Sequence, residues 1–181
     1  DKVNDLHKEY LKALKDEDIN NFVQHLLVDA TMQMDVTTTQ YLLQKIGHYL
    51  PFYIQLIIEE CDEILIEQNR PELTKYDIDL GYNRLLKKSE YFSDWDSRLS
   101  KYFPEKYLFL LEILKGCSQN GKLSIQEIYN IAKNHNNETE WKADLDDILV
   151  ADGYLFEDNN VYQFNSPLLR DWWKIRHPKM P

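Results

Sequence analysis

The chain has 181 residues, 43% of them hydrophobic and 29% charged, with a formal net charge of −10 at neutral pH. That length and apolar fraction suffice for one ordinary domain or two small ones around a real core. The acidity argues against a broad surface for phosphates, of nucleic acid or of an anionic membrane, because both depend on Lys and Arg to neutralise them.

Helical periodicity dominates the first hundred residues. Ile19, Phe22, Val23, Leu26 and Leu27 share one helical face behind the acidic start Asp16, Glu17 and Asp18, where negative charge suits the helix dipole. Thr37 is placed to cap a second helix carrying Leu42, Leu43 and Ile46, which Gly47 can end. Pro51 suits the first turn of a third helix, because it has no N–H to leave unsatisfied there. The inward seam of that helix reads Ile54, Ile57, Ile58, Cys61, Ile64 and Leu65, and Arg70-Pro71 closes it. Thr74 with Asp77 forms a capping-box pattern for a fourth helix that turns Ile78, Tyr82, Leu85 and Leu86 inward. A fifth helical stretch carries Phe92, Trp95, Leu99 and Tyr102.

Pro104 restarts the chain, and a boundary falls between Ser100 and Pro104. A helix with Tyr107, Leu110, Leu111 and Leu114 runs into the turn Ser118-Gln119-Asn120-Gly121. Ser124 and Glu127 cap a second helix, with Ile128, Ile131 and Ala132 inward. Asn137 and Glu140 mark a third, with Trp141, Leu145, Ile148 and Leu149, that ends at Gly153. Strands at 154–157 and 161–164 flank Asp158-Asn159-Asn160, a hairpin turn. Ser166-Pro167 opens a last helix with Leu168, Leu169, Trp172 and Trp173. Three helices and a β-hairpin are the order of a winged helix. The expected fold class is therefore mainly α, a helical bundle followed by a winged-helix module.

Few residues offer chemistry. Cys61 and Cys117 stand outside any ligand-type spacing, as in a reduced, cytoplasmic protein. No apolar run approaches the ~20 residues that span a bilayer, no signal peptide is visible, and no membrane association is expected. The sequence opens on Asp1 rather than Met, as a cleaved or excised piece of a longer protein would. The histidines His7, His25, His48, His135 and His177 form no metal-ligand pattern. Residues 116–123 fit G-x-x-x-x-G-K but carry Leu123 where a magnesium-binding hydroxyl is required, and a helix precedes them instead of a strand. Asp144, Asp146 and Asp147 read as a solvated helix face. The third helix of the winged-helix module offers Lys142 against Glu140 and those three aspartates, so it would repel DNA phosphates. Trp172 and Trp173 read as core. Tyr91, Phe92 and Trp95 read as packing at the joint between the halves.

Several segments together resemble the C-terminal half of prokaryotic AAA-type ATPases of the archaeal-ATPase/STAND group. Residues 46–56, Ile46-Gly47-His48-Tyr49-Leu50-Pro51-Phe52-Tyr53-Ile54-Gln55-Leu56, are similar to the signature of their lid helix. Residues 162–173, ending Ser166-Pro167-Leu168-Leu169-Arg170-Asp171-Trp172-Trp173, are similar to the end of the winged helix that follows the lid. Tyr91 to Leu99 resembles their aromatic linker, and Val3-Asn4-Asp5-Leu6 the segment after their last core strand. The family carries a tight Gly-x-Pro, whereas three residues separate Gly47 from Pro51 here. The resemblance implies a connector at 1–16, a helical lid at 17–100 and a winged helix at 101–181. It also implies a nucleotide-binding core upstream, as the partner that supplies ATP contacts and Mg. Gly47 and Pro51 would then form an adenine-facing lid corner. No catalytic residue, no metal ligand and no cofactor is expected for this chain alone, and a protein partner at the winged helix is. The competing expectations are a DNA-binding winged-helix regulator of transcription and a protein–protein adaptor.

Overall fold

The computed structural model describes residues 14–28, 32–47 and 50–178. Within them the protein is mainly helical, with one small antiparallel sheet. Helix α1 (Asp16–Leu27) buries Ile19 and Val23 on the expected face. Helix α2 (Val36–Ile46) starts from a different cap than the sequence suggested. The Asp35 carboxylate accepts the Thr38 N–H at 2.6 Å, and the Thr37 hydroxyl donates to the same oxygen at 2.9 Å. A carboxylate satisfies two donors at a dipole-favoured position, so it displaces Thr37 from the capping role. Helix α3 (Pro51–Glu67) begins on its proline and buries Ile54, Ile57, Cys61, Ile64 and Leu65. Helix α4 (Lys75–Lys87) starts on the Thr74–Asp77 capping box: the Thr74 N–H donates to Asp77 Oδ2 at 2.9 Å, and the Asp77 N–H donates to Thr74 Oγ1 at 3.4 Å. Helix α5 (Ser93–Tyr102) buries Leu99, but Tyr102 at its end is 62% exposed rather than inward.

The second half runs α6 (Tyr107–Asn120), β1 (Leu123–Ser124), α7 (Ile125–Asn134), α8 (Trp141–Asp144), a π-helical turn (Leu145–Val150), β2 (Leu155–Asp158), β3 (Val161–Phe164) and α9 (Pro167–Arg176). The capping box on α7 forms as the sequence implies, with the Ser124 N–H donating to Glu127 at 2.7 Å. Strands β2 and β3 pair antiparallel with Phe156 opposite Gln163, and Asn159 and Asn160 join them with φ of 53° and 62°. Two consecutive residues with positive φ make the hairpin turn whose twist matches that of the strands. β3 pairs on its other edge with β1, Leu123 opposite Tyr162, so the sheet order is β1-β3-β2. The third helix is not uniform. It widens after Asp144, and Asp144 turns inward: it is buried, ion-paired with Lys106 and accepts from Asn137 Nδ2 at 2.9 Å. Of the three aspartates read as a solvated face, Asp144 is thus a core charge, tolerated because it is paired and hydrogen-bonded.

One hydrophobic cluster runs from Ile19 to Trp173 and crosses position 100 without a break. Aromatic residues carry it across. The Phe92 and Trp172 rings lie 5.7 Å apart, and Trp95 meets Tyr154 edge-on at 4.7 Å. The Tyr154 hydroxyl donates to the Trp95 carbonyl at 2.6 Å, and the Tyr82 hydroxyl to Asp171 Oδ2 at 2.8 Å. These two buried phenols thus find the acceptors that their burial demands, whereas the buried Tyr53 hydroxyl has no partner among the described residues. Helix α9 contacts α2, α4, α6 and β3, so it belongs to both halves. Trp172 and Trp173 are both buried. Trp173 packs on Tyr154 and Phe164, while Trp172 reaches Phe92 in the first half. No helix among the described residues is long and apolar enough to cross a membrane.

Candidate functional site

Gly47 and Pro51 bracket the link between α2 and α3. Gly47 terminates α2 with φ 77°, and its N–H donates to the Leu43 carbonyl at 3.1 Å. Pro51 is the first residue of α3, and Leu50 ahead of it is extended, as the residue before a proline prefers. The Leu50 carbonyl accepts the Tyr53 and Ile54 N–H groups at 3.1 and 3.3 Å, which ties the entry into α3. Pro51 is half-buried, Phe52 is 45% exposed and Tyr53 is buried. His48 and Tyr49 lie outside the described residues, as does the segment Val3 to Leu6.

Gly47 does more than end a helix. A Cβ there would lie 2.8 and 2.9 Å from Cγ and Cδ of Pro167, the first residue of α9. Any side chain would force the two segments apart, so glycine is what allows the α2 terminus to sit on the start of α9. Beside this contact opens a cleft of about 290 Å³. Gly47, Pro167 and Arg170 form one side of it, and Phe156, Gln163 and Phe164 of the hairpin form the other. Gly121, which ends α6 with φ 84°, closes one edge. Pro51 is not among the residues that line the cleft. The structure brings Gly47 together with Arg170 and the hairpin, a grouping of segments far apart in sequence.

The charges around the cleft are organised. Arg170 Nε donates to Asp171 Oδ1 at 2.8 Å, while Asp171 Oδ2 accepts from Tyr82. The hydrogen bond to Asp171 raises the Arg170 pKa further, so the guanidinium is permanently charged. On the α2 side, Lys45 donates to Asp79 Oδ1 at 2.8 Å and stands 4.8 Å from the centre of the Tyr82 ring. The Lys45 hydrogen bond holds the Asp79 carboxyl below its ordinary value, and Tyr41 donates to the same oxygen at 2.8 Å. Helices α2, α4 and α9 are therefore linked by one polar relay of Lys45, Asp79, Tyr82, Asp171 and Arg170.

Other candidates have structural roles. Among the described residues no group of His, Cys, Asp or Glu could hold a metal ion. Burial pushes the thiols of Cys61 and Cys117 up to about 12, which leaves them protonated and unreactive at neutral pH. Gly116 of the G-x-x-x-x-G-K stretch lies inside α6, where a Cβ would meet Leu123 Cδ1 at 2.7 Å. Lys142 is held by Asp146 at 2.6 Å and by the Tyr162 hydroxyl at 2.7 Å.

Arg170, Gln163 and Phe156 did not stand out as site residues in the sequence. One signal was available: Arg170 is the only Lys or Arg from Gly153 to Trp173. No family model, no curated protein and no solved structure matches this chain.

Proposed function

We propose that this chain is the helical lid and winged-helix region of a larger, cytoplasmic ATP-binding protein of the AAA/STAND type. In this reading it closes over nucleotide held by an upstream core and relays the nucleotide state, without catalysing a reaction alone. The observation that carries it is the seating of the Gly47 corner on the first turn of α9. A lid corner in direct contact with the C-terminal module can pass a change in its own position to that module. ATP would favour the closed arrangement only in so far as it contacts that arrangement better than the open one. The element order from α6 to α9, with a short strand added to a β2-β3 wing, supports the winged-helix assignment. The engagement of Lys142 by Asp146 and Tyr162 speaks against the DNA-binding alternative, since it removes the one cation of the third helix from phosphate contact.

The test begins with the coding sequence upstream of Asp1, which should encode a phosphate loop and an acidic magnesium-binding strand. In the parent protein Pro51→Ala should then weaken ATP binding, measured by nucleotide titration, while circular dichroism of the 181-residue chain stays unchanged. An upstream sequence without a phosphate loop, or unchanged affinity in the parent variant, would return the corner to a purely structural role.

A further inference from the structure

The cleft beside Gly47 has a chemistry unlike that of the rest of the molecule. The chain carries 31 Asp and Glu against 21 Lys and Arg, yet among the described residues none that lines this cleft is acidic. Among the described residues its one charged wall residue is Arg170. Asp171 fixes the Arg170 side chain through Nε, and both Asp171 oxygens are spent, on Arg170 and on Tyr82. Among the described residues the two terminal nitrogens of Arg170 have no hydrogen-bond or ion-pair partner. A guanidinium held through Nε at the wall of the cleft keeps its terminal donors for a ligand there. That fork matches the paired oxygens of a carboxylate or a phosphate. Across from it, Gln163 and Phe156 are directly opposed on β3 and β2 and therefore share one face of the sheet. The amide supplies a donor and an acceptor, and the phenyl group supplies an apolar wall. At about 290 Å³ the space is at the lower end for small-molecule sites and suits a single ring with its substituent.

We propose that this cleft binds a small oxyanion carried on a flat ring, with Arg170 gripping the anion and Phe156 and Gln163 holding the ring. This goes beyond the nucleotide reading, because every wall of the site belongs to this chain and no upstream core is needed. A bound ligand touches Gly47, α9 and the hairpin together, so it ties the end of α2 to the C-terminal module.

The experiment titrates the 181-residue chain with benzoate, phenyl phosphate, benzamide and inorganic phosphate, following backbone amide resonances. Benzoate or phenyl phosphate should shift the Gly47 and Gly121 amides saturably, with a Kd on the order of 1 mM for so small a ligand. The tighter of the two tells whether carboxylate or phosphate is the preferred anion. Benzamide, which lacks the charge, and inorganic phosphate, which lacks the ring, should bind at least ~10-fold more weakly, as should Arg170→Gln. Gln163→Phe fills the cleft from a strand position without touching Arg170, and it should abolish the shifts. No saturable shift with either ring-bearing anion would overturn the proposal. So would benzamide or inorganic phosphate binding as tightly as they do, or a folded Arg170→Gln that binds like the wild type. If Arg170→Gln fails to fold, retained binding in Gln163→Phe overturns it instead.

Discussion

At the scale of single residues, two glycines with positive φ separate two kinds of constraint. Gly47 and Gly121 have φ of 77° and 84°. A Cβ on Gly121 meets nothing within 4 Å, whereas one on Gly47 runs into the Pro167 ring at 2.8 Å. Gly121→Ala should therefore incur only the backbone term, about 1–3 kcal/mol. Gly47→Ala adds the overpacking of a proline ring that cannot rotate away, for a total of about 2–6 kcal/mol. Urea denaturation of the two variants measures the difference, and equal midpoints would mean that α9 yields freely to α2. The Gly47 helix stop was legible in the sequence as punctuation. Its contact with Pro167, 120 positions further on, was not, because local pattern carries no information about which distant segment comes near.

At the scale of elements, the start of α4 joins a cap to a buried charge. Asp77 is fully buried, serves the capping box, and is ion-paired with Arg70 at 2.5 Å. Burial alone would raise its pKa, but the hydrogen bonds from Thr74 and Arg70 outweigh burial and hold it below the ordinary carboxylate value. A carboxyl whose pKa falls on folding stabilises the folded state above its unfolded pKa, about 3.9. That contribution disappears as pH falls from there through the folded value. The wild type should lose stability across that acid window, and Asp77→Asn should be less stable at neutral pH and flatter below about pH 4. Chemical denaturation at several pH values reads both slopes, and parallel curves would refute the linkage. Elements of this kind were readable in advance, because Thr74-Asp77, Ser124-Glu127 and Pro51 are local signals that need only three or four residues. Strand β1 was not, since two residues show no period. Neither was the burial of Asp144, whose partner Lys106 lies 38 positions earlier.

At the scale of the whole molecule, the shared core makes a statement about cooperativity. Because Phe92, Trp95 and Tyr82 pack or bond across to Trp172, Tyr154 and Asp171, neither half can open without exposing the joint. Far-UV circular dichroism reports helices on both sides, while the four tryptophans lie in the joint and the second half. The two signals should trace one coincident transition in urea. Tyr82→Phe removes the donor to the half-buried Asp171 carboxylate and should move both curves together by about 0.5–1.5 kcal/mol. A shift confined to one signal would show that the halves melt independently. The boundary near residue 100, drawn from Pro104 and the change of helical pattern, marks a change of architecture within one continuous core. The aromatic packing at that joint was legible from the clustering of Tyr91, Phe92 and Trp95. The cleft was not, because it takes four separate segments to enclose it.

The position of α9 in the chain has a consequence for how the protein is made. This helix supplies Leu168, Leu169, Trp172 and Trp173 to the core and contacts α2, α4, α6 and β3. β3, the middle strand that holds β1 and β2, lies only a few residues before it. A ribosome delivers residues in order, at about 5–20 per second. Until residue 176 has left the exit tunnel, the growing chain therefore displays Phe92, Tyr82 and a face of α6 without the helix that packs on them. A product that stops before residue 167 lacks Leu168, Leu169, Trp172 and Trp173 and leaves the helices they pack on uncovered.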